Sequence, residues 1–181
     1  MSKHLNQLIS LSKKGNETAM LQLYDRYGAA MFRIANRYLN EEDAKDAMQE
    51  GFLKAFKHLD HFEPTATFGA WLKRIIINQC IDMLKKRQLQ FTEMDAETLL
   101  VLDDDNWKVE STLTKKEVLA SIERLPMKYR VVVKLYLLEG YDHDEISHIL
   151  NMPIQTSRTH LRRGRLQLQD LLKNTYNVTR Y

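Results

Sequence analysis

The sequence contains a single cysteine, Cys80, among 181 residues. One thiol excludes an internal disulfide and any zinc site that needs several cysteines. Cys80 falls on an apolar helical stripe, which predicts a buried structural thiol. The amino-terminal residues are too polar for a signal peptide, and no apolar run is long enough to cross a membrane. These features predict a cytoplasmic protein without disulfides.

Proline is also scarce, and each of the three prolines falls at a predicted helix boundary. Apolar residues recur at steps of three and four, and there is no convincing strand pairing or internal repeat. The run Val131 to Val133 is compatible with a strand. A helix is favoured there because the apolar period around it is three to four and Gly140 supplies a stop signal. The sequence therefore predicts an all-α fold.

The net charge of +3 is mild, but its distribution is uneven. Residues 71–88 hold five Lys or Arg against one Asp, and residues 150–181 hold six against one. Residues 89–114 hold seven Asp or Glu against one Lys and lack clean periodicity. Two basic blocks around an acidic one predict two nucleic-acid contacts. The predicted organisation is two small helical domains, 1–88 and 115–173, joined by an acidic linker, 89–114, with a polar, frayed tail, 174–181.

The segment Tyr141 to Gln169 predicts a helix-turn-helix. Asp142 and Glu145 have the capping-box spacing, and Asn151 to Pro153 supplies the turn. On the second helix Ile154, Leu161, Leu168 and Leu172 are predicted to face inward. A basic, polar free face is typical of a recognition helix in a major groove, although a surface helix with solvated arginines is the alternative. The outward set is Thr156, Ser157, Arg158, Thr159, His160, Arg162, Arg163 and Arg165.

Two further helices have readable outer faces. The third predicted helix, about Glu41 to Leu59, carries acids around a leucine, which fits either a partner surface or a solvated face. The fourth, beginning at Thr67, carries basic and amide side chains, which fits either DNA contact or a solvated helix. The third helix presents Asp43, Asp46, Gln49, Glu50 and Leu53, and the fourth Lys73, Arg74, Asn78, Ile81, Asp82, Lys85, Lys86 and Arg87.

Neither a metal site nor an enzyme active site is predicted. Glu50, His58 and His61 are too far apart along the chain to form a metal site, and no fourth ligand accompanies them. Ser, His and Asp are present, but no nucleophile elbow or phosphate loop frames them. The sequence therefore predicts a binding protein without a cofactor or a small-molecule substrate.

Four segments in this order resemble the extracytoplasmic-function (ECF) sigma factors of bacterial RNA polymerase. The resemblance covers about residues 19–172 and includes the acidic motif EDAKDAMQEGFLKAF. The four segments are Leu23 to Leu39, Glu42 to Phe56, Phe68 to Arg87 and Leu125 to Leu168. The resemblance implies a polymerase specificity subunit rather than an enzyme.

The resemblance also implies roles for these faces. The acidic third helix would dock on the clamp of core polymerase, through Asp43, Asp46, Gln49, Glu50 and Leu53. The fourth helix and the loop before it would contact and melt the minus-ten element, with Asn78 at a base edge. The minus-ten set is Phe62, Thr67, Trp71, Lys73, Arg74, Asn78, Lys85, Lys86 and Arg87. The minus-thirty-five set is Gln155, Thr156, Ser157, Arg158, Thr159, His160, Arg162 and Arg163.

The implied partners are core polymerase (clamp and flap), promoter DNA and an anti-sigma factor, with a monomeric free form. The alternative is a helix-turn-helix regulator that acts without core polymerase, but such a protein needs neither the acidic helix nor the second basic helix. Three positions depart from the common family pattern. The family often has Gly at the positions of Gln155 and Asn151, and it often has Arg or Gln at the position of His160. The loop before the fourth helix also lacks the frequent Arg-Gly-Asp-like run.

Overall fold

The computed structural model describes residues 3–63, 65–88 and 113–178, and every regular element in these ranges is helical. Residues 89–112 of the predicted acidic linker lie outside the described residues. The chain divides into two compact units, Met1–Asp95 and Ala96–Tyr181. The helices are α1 (Lys3–Lys13), α2 (Glu17–Ala35), α3 (Glu41–Lys57), α4 (Phe68–Gln88), α5 (Lys115–Glu123), α6 (Met127–Val133), α7 (His143–Leu150) and α8 (Ile154–Val178).

In the first unit, side-chain caps start the helices and an aromatic-rich core joins them. The Asn16 side chain accepts a hydrogen bond from the backbone amide of Ala19 and caps the start of α2. The Asn40 side chain accepts one from the backbone amide of Asp43 and caps the start of α3. Phe52 and Phe68 are fully buried between α2, α3 and α4. This packing orients α3 and α4 side by side, so that their outer faces form neighbouring surfaces.

The second unit uses capping boxes at two helix starts. Thr114 with Glu117 begins α5, and Asp142 with Glu145 begins α7, the latter as the sequence predicts. Asn151 then adopts the left-handed conformation, with φ at 53°, and turns the chain into α8. The helix-turn-helix predicted from these residues is therefore present.

Between α6 and α7 the chain makes a π-helical turn over Lys134–Leu138. The predicted helix through this region is confirmed, but the wide turn is not visible in the apolar spacing. It changes which side chains face the core, because each residue of a π-helix advances less around the axis. Tyr136 and Leu137 continue the apolar spacing of the preceding helix, yet they are 38% and 46% exposed.

Two expectations about the direction of side chains and one about the end of a helix are wrong. Ile81 in α4 is expected to face outward but is only 2% exposed. Ile77 and Ile81 are four residues apart, and together they widen the buried face of this helix. Ile154, at the first position of α8, is 38% exposed rather than inward. Helix α8 continues to Val178, so residues 174–178 are helical rather than frayed.

Lys134, the first residue of the π-helical turn, is 3% exposed. Its Nζ lies 2.7 Å from a Glu123 carboxylate oxygen, and Arg130 lies 3.6 Å from the other. Burial lowers the pKa of Lys134, and the bond to Glu123 acts in the opposite direction. This ion pair ties α5 to the π-helical turn.

Candidate nucleic-acid interface

The outer face of α3 combines acids with an exposed leucine. Asp46, Gln49, Glu50 and Leu53 follow one another at helical spacing and are all exposed. Leu53 is 66% exposed, the largest value among the large exposed apolar side chains of the described residues. An apolar anchor within a charged rim is the usual form of a protein-binding surface. These four residues are called the α3 face below.

Asp43, which the sequence groups with the α3 face, lies elsewhere. Its side chain is 12% exposed, and one carboxylate oxygen is 2.6 Å from a guanidinium nitrogen of Arg87 at the end of α4. The sequence spacing alone does not reveal this pair, because its partners are on different helices. The Asp43 side chain is therefore not part of the exposed outer face of α3.

A pocket of about 530 Å³ opens between the end of α3, the short turn after it and the outer side of α4. Asn78, the residue predicted to contact a base edge, is exposed and lines this pocket. Trp71 supplies an aromatic surface, and Ile75 an apolar one. Together with these three, the lining consists of Lys54, His58, His61, Gln79 and Asp82.

Sequence reasoning missed the part of this pocket that α3 contributes. Lys54 Nζ donates a hydrogen bond to the Gln79 side-chain oxygen and bridges the two helices. His58 and His61, considered above only as metal ligands, lie with ring centroids 5.8 Å apart. Lys54 and His58 have i,i+4 spacing, which is a signal that they share one side of the helix.

Phe62 and Thr67 support this pocket rather than line it. Phe62 is 6% exposed, and its ring centroid lies 5.3 Å from that of Trp71 and 5.6 Å from that of Phe68. The Thr67 hydroxyl accepts a hydrogen bond from the Ala70 amide at 3.2 Å and caps α4. Phe62 therefore packs against Trp71 from the buried side and supports its position at the pocket.

The remaining basic residues of α4 lie on its accessible surface. Arg74, Lys85, Lys86 and Arg87 are exposed, and Lys73 is partly exposed. The last turn concentrates three of these charges, where the helix dipole favours cations. Cations beside a pocket lined by an amide and an indole form a surface suited to phosphates and unstacked bases.

The accessible side of α8 presents a compact polar surface. Gln155 and Arg158 are exposed, and Thr159, Arg162 and Arg163 are partly exposed. The Thr159 hydroxyl donates to the Gln155 carbonyl at 2.9 Å, which leaves its methyl group as the outward part. Arginine and glutamine at adjacent helical positions are side chains that pair with base edges in a major groove.

Ser157 does not belong to this surface, because its side chain is fully buried. Its hydroxyl lies 2.9 Å from Nδ1 of His143, whose ring stacks on Tyr136 at a centroid distance of 5.1 Å. Burial and then the charge of Arg158 lower the pKa of His143. Ser157 lies four residues before the buried Leu161 and so shares its side of the helix, which is a signal that the prediction overlooked.

His160 is also directed toward the domain rather than outward. Its ring meets the buried Tyr129 edge to face, with centroids 5.4 Å apart. The half-buried Thr156 is the remaining member of the predicted set. The accessible polar surface of α8 therefore excludes Ser157 and contains Gln155 and Arg158 as its exposed members, with Arg162 and Arg163 partly exposed.

Two family models match this chain. Sigma-70 region 2 matches residues 23–90, and Sigma-70 region 4 matches residues 115–168. The first match contains α3, α4 and the pocket, and the second contains the helix-turn-helix. The class of protein is therefore a sigma-70-type factor with two regions.

Relatives define the class more closely. The ECF RNA polymerase sigma factor SigW of Bacillus subtilis is 31% identical, covering 96% of this chain and 100% of that protein. The ECF RNA polymerase sigma-E factor of Escherichia coli (strain K12) is 28% identical, covering 91% of this chain and 93% of the relative. The chain belongs to the ECF sigma factors, which are transcription initiation factors and not enzymes.

Solved structures show a similar fold. CnrH in complex with the cytosolic domain of CnrY has a TM-score of 0.55 at 24% identity, covering 92% of this chain and 96% of that chain. The sigma factor RpoE of Bartonella quintana, in complex with the anti-sigma factor NepR, has a TM-score of 0.56 at 22% identity, covering 84% and 95%. Within the described ranges of this chain, no helix combines the length and apolarity needed to span a lipid bilayer.

Proposed function

We propose that this ECF sigma factor attaches to core RNA polymerase through the α3 face and contacts promoter DNA through α4 and α8. One observation carries the proposal. Within the first unit, an acidic surface around the exposed Leu53 adjoins a basic surface with an open pocket around Asn78. A protein that bound only duplex DNA would have no use for the acidic surface, because it repels phosphates.

The pocket beside α4 is proposed to receive an unstacked base of the minus-ten element. Trp71 offers a surface for stacking, and Asn78 offers both a donor and an acceptor for a base edge. Removing a base from the duplex costs a few kcal/mol, which contacts in the pocket would offset. Arg74, Lys85 and Lys86 would bind the adjacent phosphates.

The recognition helix α8 is proposed to read the minus-thirty-five element as duplex. Gln155, Arg158 and Arg162 lie at spacings of three and four and so point to one side of the helix. Binding both elements directs initiation to particular promoters. Such a factor would act in the cytoplasm, where bacterial transcription takes place.

An anti-sigma factor is proposed as a further partner. RpoE of Bartonella quintana has a structure similar to that of this chain and is bound to the anti-sigma factor NepR. A partner that covered the α3 face would keep the sigma factor from core polymerase. The free form is proposed to be monomeric.

Transcription by core polymerase with and without this chain, on a library of promoter sequences, tests the proposed function. The expected result is initiation from a restricted set of promoters only when the chain is present. Binding of the chain to duplex operators, with no promoter-specific initiation, would instead indicate a helix-turn-helix regulator acting alone.

The docking surface is tested by Asp46→Ala with Glu50→Ala, and separately by Leu53→Ala. Each is expected to weaken binding to core polymerase by roughly tenfold, about 1.4 kcal/mol, without changing helical content. The control is Glu17→Ala with Asp60→Ala, which removes the same charge from exposed positions outside α3. Equal loss in the control would assign the effect to net charge and not to this surface.

A further inference from the structure

The ion pair between Asp43 and Arg87 connects the two helices that the proposed function assigns to different partners. Asp43 is in the first turn of α3, and Arg87 is the next-to-last residue of α4. The contact is 2.6 Å, with the Asp43 side chain 12% exposed and the Arg87 side chain 55% exposed. The pair is thus buried at its acidic end and open at its basic end.

The carboxylate of Asp43 faces α4 and is largely inaccessible. Its second oxygen is buried and has no hydrogen-bond partner among the described residues. The polymerase-facing side of α3 begins one turn later, at the exposed Asp46. Asp43 therefore lacks the accessible surface that contact with a protein partner requires.

The guanidinium of Arg87 has N–H groups to spare. It carries five donors in a planar fork, and one nitrogen is used by Asp43. A carboxylate on one edge of the fork restricts its orientation and leaves the other edges for a second acceptor. The exposed Lys85 and Lys86 beside it mark the same turn of α4 as a place for phosphate.

We propose that Asp43 is a positioning residue for DNA, which holds the guanidinium of Arg87 toward a backbone phosphate next to the minus-ten element. The inference rests on the proposed DNA contact of α4 and deepens it. Under this inference Asp43, the first acid of the predicted docking set, contributes to DNA binding and not to polymerase binding. Asp43 touches no DNA itself and acts only through Arg87.

Simple electrostatics and this arrangement predict opposite results for Asp43→Asn. Removing a negative charge from a DNA-binding protein strengthens its attraction to phosphates. If Asp43 positions Arg87, the same substitution weakens DNA binding, because the guanidinium loses its fixed orientation. Glu42→Gln removes an equal charge from the neighbouring exposed position of the same helix, outside the α3 face, and serves as the matched control.

The experiment measures the affinity of the full chain, alone and bound to core polymerase, for a short DNA duplex with a melted bubble of mixed sequence. Phosphate contacts do not depend on base identity, so this probe does not require a known promoter. We expect Asp43→Asn to weaken binding roughly three- to tenfold, and Glu42→Gln to leave it unchanged or tighter. Arg87→Ala should also flatten the dependence of log affinity on log salt by about 0.7–0.9.

A double-mutant cycle separates positioning from a general effect on the fold. In the Arg87→Ala background, Asp43→Asn should have no further effect on DNA affinity. Arg87→Lys keeps the charge but not the fork, and it should weaken binding while preserving most of the salt dependence. Because Arg87 is exposed, this variant still tests the inference if Asp43→Asn unfolds the unit.

Tighter DNA binding by Asp43→Asn, equal to that of Glu42→Gln, would overturn the inference, and so would a loss confined to polymerase affinity. A loss by Asp43→Asn that persists in full without Arg87 has the same consequence. If the wild-type chain binds the probe in neither state, the proposed DNA contact of α4 and this inference fail together. Failure of polymerase docking alone would leave the comparison between Asp43 and Arg87 intact.

Discussion

Cys80 shows how burial controls the chemistry of one side chain. It is fully buried in α4, and burial raises the pKa of its thiol from an ordinary value of 9.0 to about 12. The thiolate, which is the reactive form, is therefore rare at neutral pH. We expect a thiol reagent to label the native chain only as fast as the first unit opens, and to label it at once in denaturant. Rapid labelling of the native chain would contradict this account.

The same thiol makes the free energy of unfolding depend on pH in the alkaline range. The unfolded chain loses the proton near its ordinary pKa of 9.0, whereas the folded chain keeps it until about 12. The contribution of Cys80 is therefore complete below pH 9 and is lost as pH rises through this window. Cys80→Ala should flatten the fall in thermal stability over that range, relative to the wild type at the same pH.

His143 predicts a dependence on acidic pH. Its pKa lies below the ordinary 6.5 because the ring is partly buried and Arg158 is nearby, while Asp142 opposes the shift. The neutral ring is favoured by folding, so its contribution is present above 6.5 and is lost as pH falls through the folded pKa. Titration of the His143 ring protons by NMR should give a pKa below 6.5, and His143→Gln should reduce the loss of stability in acid.

The arginine at position 158 distinguishes base reading from phosphate binding. Arg158→Ala should cost about 1–3 kcal/mol on a selected promoter and change sequence preference if the side chain pairs with a guanine. Arg158→Lys is the charge-preserving control, because it keeps the positive charge and removes the bidentate geometry of the guanidinium. A uniform loss across promoters for Arg158→Ala, restored by Arg158→Lys, would assign this residue to a phosphate.

At the scale of elements, the contact of α8 with α6 depends on the absence of a side chain at Gly164. A Cβ atom there would meet Val133 Cγ2 at 2.6 Å and Tyr129 Cβ at 3.2 Å. We expect Gly164→Ala to destabilise the second unit by about 1–3 kcal/mol, measured by denaturant unfolding. Gly28→Ala is the control, since its nearest neighbour would be Tyr24 at 3.8 Å, and it should stabilise α2 by about 0.5–1 kcal/mol.

The tie between α5 and the π-helical turn gives a second prediction at this scale. Glu123→Ala removes the partner of the buried Lys134 ammonium and should destabilise the second unit by about 1–3 kcal/mol. Lys134→Met replaces the buried charge with an apolar side chain of similar length and should cost much less. Unfolding curves of the two variants, compared with the wild type, measure the difference.

The elements themselves were largely predictable because their signals are local. Helix periodicity, the Asp142 capping box and the left-handed Asn151 depend on neighbours in sequence. Errors arose where a distant partner or an unusual turn decided the outcome. Ser157 is buried by its bond to His143, Asp43 is covered by Arg87, and the π-helical turn turns Tyr136 outward.

At the scale of the whole molecule, the proposed function places polymerase binding and DNA reading on separate surfaces, so their defects should separate. Variants of the α3 face should lower initiation at every promoter in proportion to lost polymerase binding. Variants of α8 should redistribute initiation among promoters while polymerase affinity stays constant. Promoter-library transcription, measured beside polymerase affinity for both groups, tests this, and a shared pattern in the two groups would contradict it.

The π-helical turn at Lys134–Leu138 has a consequence for the length of this segment in related chains. A π-helical turn holds one more residue than an α-helical turn, so it accommodates one additional amino acid within the helix. Because each residue of the π-helical turn advances less around the axis, removing one residue from this stretch would restore a regular helix with little net rotation of the segments on either side. A one-residue gap in this stretch is therefore expected in relatives whose α6 runs as an unbroken α-helix.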